Sequence, residues 1–124
     1  MKLRFRKNSL RLRVNRREVE QLSTGQRLSE QVHFPNDTHL AYLLESVPSP
    51  SPQVEFQAGL IRVAVPRADL QIWAESDAIG MYFDLPANGT SLKVAVEKDL
   101  ECVDGPEEER DADAYPRDNL RSCD

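Results

Sequence analysis

The sequence holds 124 residues, 40% of them hydrophobic and 6% aromatic, with a net charge of −5. That length normally makes one domain around one adequate core, here necessarily aliphatic. The negative charge favours solubility and argues against simple nucleic-acid binding, and no apolar run approaches the ~20 residues that span a bilayer.

The start, Met1-Lys2-Leu3-Arg4-Phe5-Arg6-Lys7, is basic but is not followed by the apolar stretch of a signal peptide. Lys2 excludes myristoylation, and the closing Ser122-Cys123-Asp124 is no prenylation signal. A cytoplasmic location is the expectation. Cys102 and Cys123 stand far from any metal-binding spacing and are expected as reduced thiols.

In chain order, Lys2–Arg6 alternates, with Leu3 and Phe5 on one side, and reads as a strand. Lys7-Asn8-Ser9 is turn chemistry, and Leu10, Leu12 and Val14 mark a second strand. The period then changes. Asn15 is a good helix cap with Glu18 in the capping-box position, Val19 and Leu22 follow at helical spacing, and Gly25 is a natural stop. Arg27–Phe34 and His39–Glu45 alternate again around the turn Pro35-Asn36-Asp37-Thr38.

The proline-rich stretch Ser46–Pro52 should be extended. After it the pattern recurs. Val54 and Phe56, then Ile61, Val63 and Val65, mark two strands. Pro66 opens a helix carrying Leu70, Trp73 and Ala74, and its missing N–H costs nothing there. Ala78–Leu85 and Ser91–Glu97 flank the turn Pro86-Ala87-Asn88-Gly89-Thr90.

Displaced by about 51 positions, the chain superposes on itself. Asn8 meets Gly59, Arg11 meets Arg62, Arg16 meets Arg67, and Leu28, Val32 and Phe34 meet Ile79, Phe83 and Leu85. After a one-residue insertion, Leu44 and Glu45 meet Val96 and Glu97. The expected fold is therefore α+β: a duplicated ββαββ unit forming one antiparallel sheet of about eight strands, able to close into a barrel, with two short helices. Residues 1–98 make one duplicated domain, with repeat one at 2–45, the linker at 46–52 and repeat two at 53–97. Residues 99–124 make an acidic, largely irregular tail.

Charge is distributed unevenly. Every charged residue from Lys2 to Arg17 is basic, whereas from Glu97 onward acids outnumber bases by eleven to four. Opposed ends suggest that the acidic tail folds back onto the basic strands.

Strand parity assigns two faces. Leu3, Phe5, Leu10, Leu12, Val14, Leu28, Val32, Phe34, Leu40, Tyr42, Leu44 and their second-copy partners share one, covered by Val19, Leu22, Leu70 and Trp73. The other carries Lys2, Arg4, Arg6, Arg11, Arg13, Arg27, His33, His39 and Glu45 from copy one, with Glu55, Arg62, Asp84, Lys93 and Glu97 from copy two. Cross-strand ion pairs account for such a face. A sharper expectation is ligand binding by Arg4, Arg6, Arg11, Arg13, Arg62, Lys93, Glu45 and Glu97, because clustered arginine forks suit phosphate and carboxylate groups. Arg11/Arg62 and Glu45/Glu97 stand out, each copy placing the same charge at the same position.

A strand–helix–three-strand unit, duplicated around a charged channel, resembles the architecture of the CYTH-like triphosphate-tunnel phosphatases. Their E-x-E-x-K strand is missing here, Glu97-Lys98-Asp99 being no match, so the resemblance is topological and fold does not imply function. Asn8-Ser9-Leu10-Arg11-Leu12-Arg13 (N-S-x-R-L-R), Glu97-Lys98-Asp99-Leu100-Glu101-Cys102 (E-K-D-x-x-C) and Asp111-Ala112-Asp113-Ala114-Tyr115-Pro116 resemble a family of small, uncharacterised bacterial proteins. That resemblance covers nearly the whole length and implies no known activity.

His33 and His39 share a parity and can meet across their hairpin, with Asp37 between them, but exposed surface histidines are the simpler reading. No G-x-S-x-G, P-loop, G-x-G-x-x-G or H-E-x-x-H occurs. Phe5 lies off the arginine face, so base-stacking platforms are missing and nucleic acid is disfavoured.

These features favour a non-catalytic binding or interaction module. Its arginine-rich face would take an anionic small molecule or an acidic protein segment, with no cofactor, metal or membrane and with the oligomeric state open. The competing expectation is a metal-dependent phosphohydrolase-like enzyme, for which Glu45, Glu55 and Glu97 are the available carboxylates.

Overall fold

The computed structural model describes residues 1–100 together with Asp113 and Tyr115. In chain order it contains β1 (Lys2–Arg6), β2 (Ser9–Val14), α1 (Arg16–Ser23), β3 (Leu28–His33), β4 (His39–Val47), β5 (Gln53–Gln57), β6 (Leu60–Pro66), α2 (Arg67–Glu75), β7 (Gly80–Ala87) and β8 (Thr90–Lys98). The α+β class and the two short helices agree with expectation. One eight-stranded sheet does not. The strands form two four-stranded sheets, ordered β1-β2-β8-β7 and β3-β4-β6-β5, and no closed barrel forms among the described residues. The sheets are also mixed, because β2 pairs with β8 and β4 with β6 in parallel. The physical reason is an exchange. Each sheet takes one hairpin from each half of the chain, and two hairpins joined through their second strands meet in parallel.

Two compact units result: one from Glu20–Ala78 with Met1, the other from Lys2–Val19 with Ile79–Asp124. The first holds the β3-β4-β6-β5 sheet. Leu28, Leu44, Val63 and Val54 form one row across it, with Leu44 and Val63 fully buried. α2 lies against β4 and β6, and Leu70 and Trp73 supply its buried stripe. Gln71 Nε2 donates to the Ser23 carbonyl at the end of α1 (2.9 Å), while the terminal amine of Met1 lies 3.7 Å from Glu30.

The second unit holds the β1-β2-β8-β7 sheet. Its corresponding row is Leu3, Leu12, Val96 and Met81, again with the two central members fully buried. The turns correspond as well: Lys93 N–H donates to the Asn8 carbonyl here, as Ala41 N–H donates to that of Gly59 in the other unit. Leu3 and Leu12 match Val54 and Val63, and Leu44 matches Val96, at the expected offsets. β7 is the correction: Leu28 matches Met81 rather than Ile79. A slip of two residues preserves alternation, so apolar parity could not detect it.

Local chemistry explains the element ends. The Asn15–Glu18 capping box is present in full, Glu18 N–H donating to Asn15 Oδ1 (2.9 Å) and Asn15 N–H to Glu18 Oε1 (3.0 Å). α1 stops at Gly25 (φ +90°), where Gln26 N–H bonds the Gln21 carbonyl and Gly25 N–H that of Leu22, satisfying the last carbonyls of the helix. α2 starts at Pro66 without a side-chain cap. Asn88 and Gly89 both take positive φ, the geometry of a tight hairpin turn, so β7 runs on through Pro86 where a longer turn was expected. An edge strand tolerates that proline. β4 likewise continues through Ser46 and Val47, shortening the linker to residues 48–52.

Parity named the core face but not its extent. Leu10, Leu12, Val14, Leu28 and Leu44 are buried, yet Phe5 and Phe56 are 59% and 67% exposed and Val32 and Phe34 are also exposed. Phe5 and Phe56 lie on edge strands, and in its own unit α2 packs on the central strands β4 and β6, leaving β5 outside its cover.

Candidate functional site

The arginines and glutamates singled out by the repeat meet one another. Arg11 stands opposite Ala95 on β8, and its Nε reaches diagonally to Glu97 Oε1 (3.0 Å). Arg62 stands opposite Leu43 on β4, and its Nε reaches the equivalent diagonal partner, Glu45 Oε2 (2.7 Å). Both pairs are the same diagonal contact between neighbouring parallel strands, so the two members recur together.

The surroundings differ. Around Glu97, Arg13 Nε adds a contact at 3.7 Å and the Tyr82 hydroxyl donates to Oε2 (2.7 Å). Gly80 makes room for that hydroxyl: a Cβ there would lie 2.6 Å from Tyr82 Oη and 2.9 Å from Glu97 Cγ. Around Glu45, Arg27 Nη2 approaches to 3.8 Å, and Arg62 Nη1 also donates to Glu55 (3.0 Å) and to Gln53 Oε1 (3.1 Å). The hydrogen bond to Glu45, with the charges of Glu45 and Glu55, holds the Arg62 pKa above its ordinary value against the opposing effect of burial. Arg62 thus stays a cation committed to carboxylates.

Of the remaining expected ligand residues, Arg4, Arg6 and Lys93 are exposed on the same face as Arg11 and Arg13. Lys93 stands opposite Asp84, Arg4 opposite Arg11, and Arg6 beside the β1–β2 turn. His33 and His39 do face each other across their hairpin, with ring centroids 5.8 Å apart. Among the described residues no group of three or more His, Cys, Asp or Glu is placed to hold a metal ion. Cys102 and Cys123 lie outside the described residues.

A second cluster lies at the far end of this sheet. Lys98 and Asp99 are buried charges, and a buried charge must find a partner. Lys2 Nζ meets Asp99 Oδ2 at 2.7 Å. Lys98 Nζ lies 5.3 Å from the centre of the Tyr115 ring, and the Arg16 guanidinium lies 5.5 Å from it. Backbone bonds fix the segment: Tyr115 N–H donates to the Asp99 carbonyl (2.6 Å) and Arg16 N–H to that of Asp113 (2.7 Å). Leu100 forms a parallel bridge with Tyr115. Sequence reasoning missed this seat. Its signal was Lys98, a charged residue on the apolar parity of Val94 and Val96, whose copy-one counterpart is Ser46.

Fold and site together define an α+β protein built from two matching mixed sheets, each with a diagonal Arg–Glu pair on one face. The chain belongs to a family of unknown function, DUF7009, whose family model matches residues 1–119. No curated protein and no solved structure matches it. Among the described residues no helix is long and apolar enough to cross a membrane.

Proposed function

We propose that this protein is a non-catalytic interaction module that binds an acidic protein segment across the polar face of the β1-β2-β8-β7 sheet. The observation that carries the reading is a surplus of positive charge. Lys2, Arg4, Arg6, Arg11, Arg13 and Lys93 share that face with only Asp84 and Glu97 on its strands. Spacing favours a segment over a small anion. Alternate residues on a strand lie ~6.6 Å apart and neighbouring strands ~4.8 Å apart, so these cations form a grid instead of converging on one point. An extended peptide with acids at alternate positions matches that grid, and β1, at the sheet edge, offers it a backbone to lie beside.

Enzymatic phosphohydrolysis is less well supported, because Glu45 and Glu55 are both engaged with Arg62. The N-S-x-R-L-R and E-K-D-x-x-C runs favour a bacterial source, and a cytoplasmic setting suits reduced cysteines.

The test is a titration of fluorescent poly-glutamate into the full chain at low salt, with tripolyphosphate in parallel. Poly-glutamate should bind, weaken as salt rises and lose at least tenfold in affinity in an Arg4→Glu/Arg6→Glu variant. An Arg62→Ala variant should bind as the parent does. Absence of poly-glutamate binding, equal binding by the double variant, or tighter binding of tripolyphosphate would overturn the proposal.

A further inference from the structure

We infer that this chain associates with itself head to tail, the β1 edge of one copy pairing antiparallel with the β5 edge of the next. The inference goes beyond the binding of an acidic segment, because it concerns main-chain edges where that reading concerns a sheet face.

The first observation is what the two edges present. Each strand belongs to a hairpin closed by a two-residue turn, Lys7-Asn8 between Arg6 and Ser9, and Ala58-Gly59 between Gln57 and Leu60. The residues flanking such a turn exchange both ladder bonds, and so does every second pair beyond it. Leu3 and Phe5, and likewise Val54 and Phe56, therefore turn their N–H and C=O groups outward. Among the described residues these groups have no hydrogen-bond partner. The side chains of Phe5 and Phe56 are exposed beside them. A row of open main-chain groups next to exposed apolar side chains is a template for another strand.

The second observation is that the four sheet edges are not alike. β3 carries Glu30 on the apolar parity of Leu28 and Val32, opposite Tyr42, and an inward-pointing charge discourages an added strand. β7 carries Pro86, which cannot donate to a ladder. β1 and β5 have neither a proline nor a charge of that parity.

The third is charge, which selects the edges that pair. Two β1 strands set antiparallel bring Lys2, Arg4 and Arg6 against one another in every register, and two fully overlapped β5 strands bring Glu55 against Glu55. β1 against β5 has no such conflict. In full overlap Leu3 faces Phe56 and Phe5 faces Val54, and both are pairs of outward-turned residues, so each exchanges two main-chain bonds. Directly opposite residues share a face, so the apolar side of one sheet continues into the next. On the polar side Arg4 faces Glu55 from the open edge, while Arg62 holds Glu55 at 3.0 Å from within its own sheet. Lys2 and Arg6 face Gln57 and Gln53. The contact is heterologous: a copy whose β1 is occupied still offers its own β5 to a further copy.

The test is sedimentation equilibrium of the full-length chain from micromolar to millimolar concentration. The average mass should rise to at least twice that of the monomer. Phe5→Pro and Phe56→Pro each remove an outward N–H and leave the hairpin's own ladder intact. Each variant alone should remain monomeric, and an equimolar mixture should stop at a dimer, since it retains one working β1 and one working β5. Arg4→Glu/Arg6→Glu and Glu55→Lys serve where a proline variant fails to fold, as circular dichroism would show; each alone should be monomeric and mixing should restore association. A parent chain that stays monomeric, a single variant that still associates, or a mixture that does not associate overturns the inference. Poly-glutamate binding by the Glu55→Lys chain tests the sheet-face reading separately, because that variant keeps the arginine face intact.

Discussion

The β1-β2-β8-β7 sheet and the β3-β4-β6-β5 sheet share their pairing, their central apolar rows and their Arg–Glu diagonal, but not their charge. Arg11–Glu97 in one is Arg62–Glu45 in the other. Around the diagonal the positions diverge: Arg4, Arg6 and Arg13 correspond to Glu55, Gln57 and Ala64. A charge whose partner stands on the neighbouring strand is bound to that partner, since losing either leaves the other half-buried and unmatched. Arg4 and Arg6 are instead exposed on the edge strand β1. Shared features therefore report how the sheet is held together, and unshared ones, the arginine surplus and the Tyr115 seat, report what is particular to one unit.

The largest test of that comparison is in the rows. Leu12→Ala and Leu44→Ala each remove a fully buried central member of one sheet's apolar row and should each cost about 2–5 kcal/mol in chemical denaturation. Hydrogen exchange should localise the loss to the sheet that was altered. Faster exchange in both sheets after either change would show that they open together and would break the treatment of the units as separate. Next comes the helix start. Asn15→Ala removes the side-chain arm of the capping box, the bond from Glu18 N–H to Asn15 Oδ1, and should cost about 1 kcal/mol, a loss with no counterpart at α2, which begins without a side-chain cap.

Gly80→Ala should cost a similar amount, about 1 kcal/mol, by driving the Tyr82 hydroxyl off Glu97. Tyr82 fluorescence or its ring resonances would show the displacement. An unshifted Tyr82 would mean that Glu97 is held by Arg11 and Arg13 alone. The smallest effects are at the diagonals. Arg62→Ala should cost about 0.5–1 kcal/mol, and Arg11→Ala, whose side chain is more exposed, less than about 0.5 kcal/mol. A reversed order would place the stronger network around Glu97.

Much of this was readable from the residues. The capping box at Asn15 and Glu18 follows from side-chain chemistry confined to one turn, and alternation located the strands because each face has a different solvent. The repeat picked out Arg11, Arg62, Glu45 and Glu97, and the structure brings them together as two pairs. What escaped was information that alternation does not hold. A period of two is blind to a slip of two residues, hence the misplaced β7, and it says nothing about which strands pair, hence one expected sheet where there are two. Nor does it say how far the core extends under an edge strand, which is why Phe5 and Phe56 were taken for core. The Tyr115 seat depends on residues distant in the chain, and only the misplaced charge of Lys98 hinted at it.

The exchange of hairpins has a consequence for the order in which the molecule is made. In the Glu20–Ala78 unit the parallel partners Ala41 and Leu60 are close in the chain, so this sheet can close early and over a short loop. In the other unit Ser9 pairs with Lys93, and β2 must wait for the last strand of the sheet. During synthesis the β1–β2 hairpin therefore emerges first and completes last, presenting Leu10, Leu12 and Val14 along an unpaired edge while the intervening unit folds. The basic charges on the opposite side of that hairpin repel a second nascent copy. The arginines that distinguish this sheet thus place like charges beside that edge during the interval before β8 arrives, the kind of device by which strand edges resist pairing with another copy.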